Sequence, residues 1–199
     1  MNGSRKKTVA VPVGSVVVGG GAPVVVQCMT NTDTADAAAT AAQVKALSDA
    51  GAELVRFTVN TAEAARAVPE IKKRLADAGC AVPLIGDFHY NGHQLLADSP
   101  ECADALEKYR INPGNVGRGE KRDDQFATIC KIAADRGKAV RLGVNAGSLD
   151  PELVAAAMAE NARRNLGRTP AAIYRNCMIR SALDSAAAAQ RHGLAANRI

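Results

Sequence analysis

An α/β fold built on a parallel sheet is what this sequence predicts, and three observations predict it. A unit recurs along the chain: a β-branched apolar run, a polar loop, then an alanine-rich helical stretch closed by glycine. The helical stretches close at Gly51, Gly79, Gly137 and Gly193, and glycine just past a helix end takes the left-handed conformation that closes it. The alternation repeats five times at roughly 30 residues per unit, which means parallel strands joined by crossover helices.

The elements follow in order. Thr8–Val13 and Ser15–Val18, around Gly14, read as a small β-hairpin. Strand candidates are Val24–Met29, Glu53–Val59, Val82–Asp87, the short Lys108–Asn112 and Ala139–Asn145. Asp150-Pro151-Glu152 reads as a helix start: an N-cap, a proline in the first turn and an acid at the positive end of the dipole. Two architectures fit this order, an open five-stranded doubly wound sheet and a (β/α)8 barrel of typically ~250 residues. The pattern alone leaves both open. In a barrel the hairpin would close one end.

Composition bounds the function. The 199 residues are 47% hydrophobic, 23% charged and 3% aromatic, as in an ordinary globular protein. No stretch approaches the ~18 uninterrupted apolar residues of a membrane span. The basic, then valine-rich start imitates a signal peptide, but Pro12, Gly14 and Gly19-Gly20-Gly21 interrupt it. A cytoplasmic protein with no membrane partner is expected. Net charge is +5, yet the one dense basic run is Arg5-Lys6-Lys7, and the few aromatics offer bases almost nothing to stack on; no nucleic-acid partner is expected. Five scattered cysteines without Cys-x-x-Cys spacing form neither a disulfide framework nor a complete metal site.

The period of two within strands carries the functional reading. In Leu54–Asn60, Val55, Phe57 and Val59 oppose Arg56, Thr58 and Asn60. In Tyr109–Asn112, Arg110 and Asn112 share the polar face; in Val140–Asn145, Arg141, Gly143 and Asn145 share it; in Leu84–His89, Asp87 and His89 fall on one side. The apolar faces go against helices. Three strands thus each bring an arginine toward the carboxyl end, where α/β folds hold their ligands. One carboxylate, Asp87, cannot neutralise three guanidiniums, and burying them unpartnered is costly. A multiply charged anion such as a diphosphate suits their planar forks. The structural alternative pairs each arginine with an acid of a neighbouring strand or loop.

Other signals are weaker. Gly114-Asn115-Val116-Gly117-Arg118-Gly119 lacks the Gly-Lys-Ser/Thr of a nucleotide loop and reads as an ordinary βα loop. Asp87, His89 and His93 suggest a metal site, but Asn91 and Gly92 break any helix that would align the histidines. His89 is better placed as a proton donor or ligand hydrogen bond. His192, beside a helix-ending glycine, reads as structural. The cysteines read as small buried hydrophobes, with Cys28 the exception because it opens the first βα loop.

The same residues carry a family likeness. The chain resembles 4-hydroxy-3-methylbut-2-en-1-yl diphosphate synthase, an iron–sulfur enzyme of the methylerythritol phosphate route to isoprenoids. The resemblance rests on Gln27-Cys28-Met29-Thr30-Asn31-Thr32, Val55-Arg56, Gly86-Asp87-Phe88-His89, Arg110-Ile111-Asn112-Pro113-Gly114-Asn115 and Arg141-Leu142-Gly143-Val144-Asn145-Ala146-Gly147-Ser148-Leu149, in order along nearly the whole chain. It implies an amino-terminal (β/α)8 TIM barrel followed by a domain that binds a [4Fe–4S] cluster through three cysteines and a glutamate. The substrate it implies is 2-C-methyl-D-erythritol 2,4-cyclodiphosphate, reduced across a homodimer with electrons from flavodoxin or ferredoxin. Arg56, Arg110 and Arg141 match positions that grip the diphosphate; Asn112 and Asn145 match polar positions around it, and Asp87 and His89 are the candidate catalytic residues. Cysteine stands at position 28 where the family usually has serine.

On this reading residues 1–21 are a basic segment and hairpin, and residues 22–199 are about five of eight βα units of a substrate-binding barrel. The cluster domain lies outside the chain. No cysteine matches a cluster ligand, so no metal or cofactor is expected here, and the chain alone is expected not to perform the reduction. The alternatives are a dihydropteroate synthase-like or other phosphate-binding barrel, and a non-catalytic anion-binding module.

Overall fold

The computed structural model describes residues 6–113 and 120–199. The glycine-rich loop Gly114–Gly119 lies outside the described residues, as does Arg5. The chain opens with the antiparallel hairpin β1 (Val11–Val13) and β2 (Val16–Val18), turned at Gly14 with φ +58°, a backbone setting glycine adopts without strain. Then come β3 (Gln27–Met29), α1 (Ala37–Asp49), β4 (Leu54–Val59), α2 (Ala62–Asp77) and β5 (Leu84–Phe88). Two short helices, α3 (Gly92–Asp98) and α4 (Pro100–Ala105), lead to β6 (Lys108–Ile111). The chain continues with α5 (Glu120–Asp135), β7 (Ala139–Leu142), α6 (Pro151–Arg163) and α7 (Pro170–Arg191).

The five strands β3 to β7 pair in parallel and in sequential order. That order decides between the two architectures. A doubly wound sheet reverses its strand order at a switch point, whereas here each strand adds beside the last, as in a barrel. The sheet is open among the described residues, with β3 and β7 at its edges. It is nevertheless strongly curled. Lys108 Nζ on β6 lies 3.5 Å from Gln27 Oε1 on β3, two strands that are not neighbours in the sheet.

Alternation sorts the side chains as the period of two requires. Val55, Phe57, Val59, Leu84, Phe88, Tyr109, Ile111 and Val140 pack outward in one core with the helices, where Val68, Ile71 and Leu75 of α2 meet them. Tyr109 is buried there with its hydroxyl donating to Ala103 O at 2.8 Å. The inner face is apolar only at the amino end of the strands. There Leu54, Ile85 and Ala139 cluster with Val13, flanked by Val11, Val16, Val18 and Val25. The hairpin thus seats aliphatic side chains under the curl, and the polar inner residues stand above it.

The strands are mostly shorter than the sequence reading, by three residues at the start of β1, at the start of β3 and at the end of β7 and by one at the start of β2, at the start of β4 and at the end of β6, while β5 is shifted to Leu84–Phe88 from the Val82–Asp87 expected. β3 begins only at Gln27, because the Val26 amide is taken by the Glu53 carboxylate at 2.8 Å. β7 ends at Leu142, although the Gly143 amide still donates to Ile111 O at 2.7 Å. The last helical stretch is two helices. The break falls at Asn165 (φ +48°) and Gly167 (φ +63°), and Thr169 then caps α7 ahead of Pro170. Thr169-Pro170 repeats the signal of Asp150-Pro151, where the Asp150 side chain accepts the Glu152 amide at 2.9 Å.

Candidate functional site

The strands bring their inner polar residues together above the aliphatic floor. Parallel register sets Met29 beside Arg56, Asp87 beside Arg110, and Arg110 beside Arg141. Asp87 is 4% exposed and serves two cations. Arg110 Nη1 donates to its Oδ1 at 2.9 Å, and Arg56 Nε lies 3.6 Å from its Oδ2. Arg110 Nη1 also lies 3.4 Å from His89 Nε2. Asp87, His89 and Arg110 therefore form one contiguous group, joined on the β4 side by Arg56.

The structural alternative weighed from sequence holds in part: two arginines do find an acid, but it is the same acid. Arg141 has no ion pair with an acid among the described residues and is exposed. Arg56 also donates to the Met29 thioether, from Nη2 at 3.1 Å and from the same Nε at 3.3 Å. Sulfur is a weak acceptor. Burial pulls the Arg56 guanidinium below its ordinary value; Asp87 opposes that, while Arg141 and Arg110 add to it by repulsion.

Lys108 belongs to the same face, and the sequence reading missed it. It is buried two residues before Arg110 and four before Asn112, so the period of two that selected those residues selects it as well. Burial pushes its ammonium down to about 8, with repulsion from Arg141 and Arg56 acting in the same direction. Among the described residues four cationic side chains thus share the inner face with one carboxylate.

The asparagines are tied to a residue the candidate set omitted. Asn112 is buried and its Nδ2 donates to Ser148 Oγ at 2.8 Å. Ser148 in turn offers its amide to Asn145 Oδ1 at 3.1 Å, with its hydroxyl 3.2 Å from the same atom. Ser148 therefore links the end of β6 to the loop after β7. Its signal was the small turn Asn145-Ala146-Gly147-Ser148, an asparagine accepting from the amide three residues on. Ser148→Ala is expected to cost about 1–2 kcal/mol, since it strips a buried amide of a partner; a shift in the urea midpoint at constant slope would show it, and no shift would remove Ser148 from the site's framework.

The remaining sequence candidates separate from this group. His93 sits on α3, where burial lowers its pKa. No three histidine, cysteine or acidic side chains converge on a metal-sized point among the described residues. His192 caps the end of α7, its ring edge-on to Phe126 at 6.5 Å. Cys28 packs from β3 against the outer core, away from the inner face. Cys102, Cys130 and Cys177 are buried on α4, α5 and α7, and burial pushes the Cys102 and Cys130 thiols up to about 12. They sit on three different helices, and no three ligating side chains converge among the described residues, so these side chains do not fit an iron–sulfur cluster.

A sequentially wound parallel βα sheet, hairpin beneath and cations at the carboxyl ends of its strands, defines a protein of the TIM-barrel class. Residues 8–199 match the GcpE TIM-barrel domain. The chain belongs to that family, the amino-terminal barrel of the synthase its motifs resemble. Among solved structures it is similar in fold to dihydropteroate synthase of Burkholderia cenocepacia, determined in complex with 7,8-dihydropteroate. The TM-score is 0.52 and the identity 16%, over 96% of this chain and 61% of that one. The chain therefore spans less than two thirds of that relative. No helix among the described residues is long and apolar enough to cross a membrane.

Proposed function

We propose that this chain is the substrate-binding barrel part, residues 22–199, of a 4-hydroxy-3-methylbut-2-en-1-yl diphosphate synthase, with residues 1–21 as its leading segment and hairpin. It takes 2-C-methyl-D-erythritol 2,4-cyclodiphosphate and presents it for reductive ring opening in isoprenoid biosynthesis. The observation that carries this reading is the excess of inner-face cations over the carboxylate Asp87 among the described residues.

The chain's own residues bind and orient. Arg141, free of any acid among the described residues, meets the incoming diphosphate first. Arg56 exchanges the Met29 sulfur for a phosphate oxygen, a gain because charge-assisted bonds to oxygen are the stronger ones. Arg110 stays anchored by Asp87 and turns its other donors to the anion. His89, in reach of Arg110, is placed to donate a proton or hydrogen bond to a substrate oxygen, and Asn112 and Asn145 hold the rim. No step of electron transfer is assigned to these residues. In the whole synthase the reductant is a four-iron cluster beyond this chain, supplied by flavodoxin or ferredoxin in a cytoplasmic homodimer.

Calorimetric titration of the protein with the cyclodiphosphate tests this. Arg110→Ala is expected to weaken binding about 10- to 100-fold, the worth of one or two hydrogen bonds to charged groups. Unchanged affinity in Arg56→Ala, Arg110→Ala and Arg141→Ala alike would refute the diphosphate site. The dihydropteroate synthase alternative has fold likeness alone behind it.

A further inference from the structure

Lys108 has no place in the binding scheme above, and its setting is unusual. Its ammonium is buried, and among the described residues its hydrogen-bond partner is the neutral Gln27 Oε1 at 3.5 Å. The neighbouring side chains at its own level are Ile85 and Ala139, its register partners on β5 and β7. With Arg141, Gln27 and Leu54 it lines a cavity of about 480 Å³ inside the curl. Charged groups near it on the inner face are Arg56 from β4, Asp87 from β5, Arg110 from its own strand and Arg141 from β7. The hairpin below and α7 beside it contribute aliphatic side chains, Val11, Val13 and Val18, and Ala182 and Ala186, and Ile199, which bears the terminal carboxylate, lines the same cavity. Asp87 is already held by Arg110 and Arg56. Among the described residues this lysine makes no ion pair with an acid, so negative charge arriving from outside stabilises it.

We propose that Lys108 is the fourth cation of the anion site, a positioning ammonium beneath the three guanidiniums that takes up a proton as the diphosphate enters. This deepens the proposed function and rests on it. Because the empty pocket holds the ammonium near 8, part of the population is neutral at neutral-to-alkaline pH. A dianion at the guanidiniums lowers the potential at Nζ and restores the proton. Free carboxylates and imidazoles titrate below, and free guanidiniums above, the window from about 8 to 10, and substitution of Lys108 isolates its own proton from theirs. A cyclic diphosphate, with one strongly acidic proton per phosphorus, stays doubly charged throughout. The sign follows. Affinity is flat below about 8, where the lysine already carries its proton, and falls as pH rises above that, by up to about tenfold per unit for one linked proton.

The test is calorimetric titration of the whole protein with 2-C-methyl-D-erythritol 2,4-cyclodiphosphate, in buffers of different ionisation enthalpy at pH 7 and pH 9. Uptake of most of one proton is expected at pH 9 and little at pH 7. Lys108→Arg keeps the charge but cannot titrate here, and should bind without uptake and without the alkaline loss. Lys108→Met keeps the length without the charge, and should bind about tenfold or more weakly at pH 7 with a flat pH profile. If the wild-type protein binds without proton uptake at pH 9, or if uptake persists in Lys108→Arg, the role of Lys108 is overturned and the anion site stands. If the wild-type protein does not bind at pH 7, both fall.

Discussion

Asp87→Asn is expected to destabilise the fold by about 3 kcal/mol, toward the lower end of what breaking a buried ion pair costs. The reason is the sharing of one acid. Asp87 is 5% exposed in its side chain, and the two guanidiniums against it are 14% and 21% exposed. Amidation leaves both facing an uncharged neighbour, with Lys108 and Arg141 still present. Partial exposure of the arginines lets water screen them, which keeps the loss below the upper limit. For a chain of this size the change corresponds to roughly 6–12 °C in Tm. The same logic fixes the response to ligand. A diphosphate supplies the negative charge the variant lacks, so at about 100 Kd it should return about 2.7 kcal/mol, and more than it gives the wild-type protein if its affinity rises. Denaturation with and without cyclodiphosphate checks both halves. A variant as stable as wild type would mean that the arginines are satisfied elsewhere, and the argument from excess charge would lose its base.

Much of this was legible in the sequence because both relevant periods are local. Glycine stops at 51, 79, 137 and 193 marked helix ends, and each carries positive φ in the structure. The period of two put Arg56, Asp87, Arg110 and Arg141 on one face, and the register of β4 to β7 keeps them there. The choice between barrel and doubly wound sheet was not legible from periodicity, since strand order is a long-range property. Nor was the sharing of Asp87, which depends on how Arg56 leans across to the next strand. Lys108 opens the strand candidate Lys108–Asn112, but the alternation was applied only over Tyr109–Asn112, which leaves it off the polar face. Ser148 was overlooked because its contacts join residues 36 apart in the chain. In both cases the local rule was sound and its range was drawn too narrowly.

Gly143→Ala is expected to weaken diphosphate binding about 10- to 100-fold while the protein still folds, a result that separates positioning from stability. Gly143 follows β7 on the inner face, and the Arg110 guanidinium lies directly over it. A Cβ built there would meet Arg110 Nη2 at 2.7 Å and Cζ at 2.8 Å, with Nε closer still. Carbon contacts of that length are well inside van der Waals separation. What yields is the end of a flexible side chain, not backbone, and Asp87 keeps Arg56 at 3.6 Å, so the cost to folding is about 1–2 kcal/mol, less than that of Asp87→Asn. Arg110 must swing off the strand. In doing so it gives up the 2.9 Å bond to Asp87 and its approach to His89, the two contacts that aim its remaining donors. Affinity for the cyclodiphosphate should therefore fall about as far as in Arg110→Ala, some 10- to 100-fold. The double variant should be no worse than either single one, because each removes the same correctly placed guanidinium. Full additivity in that cycle would mean that Gly143 acts on binding by a route other than Arg110.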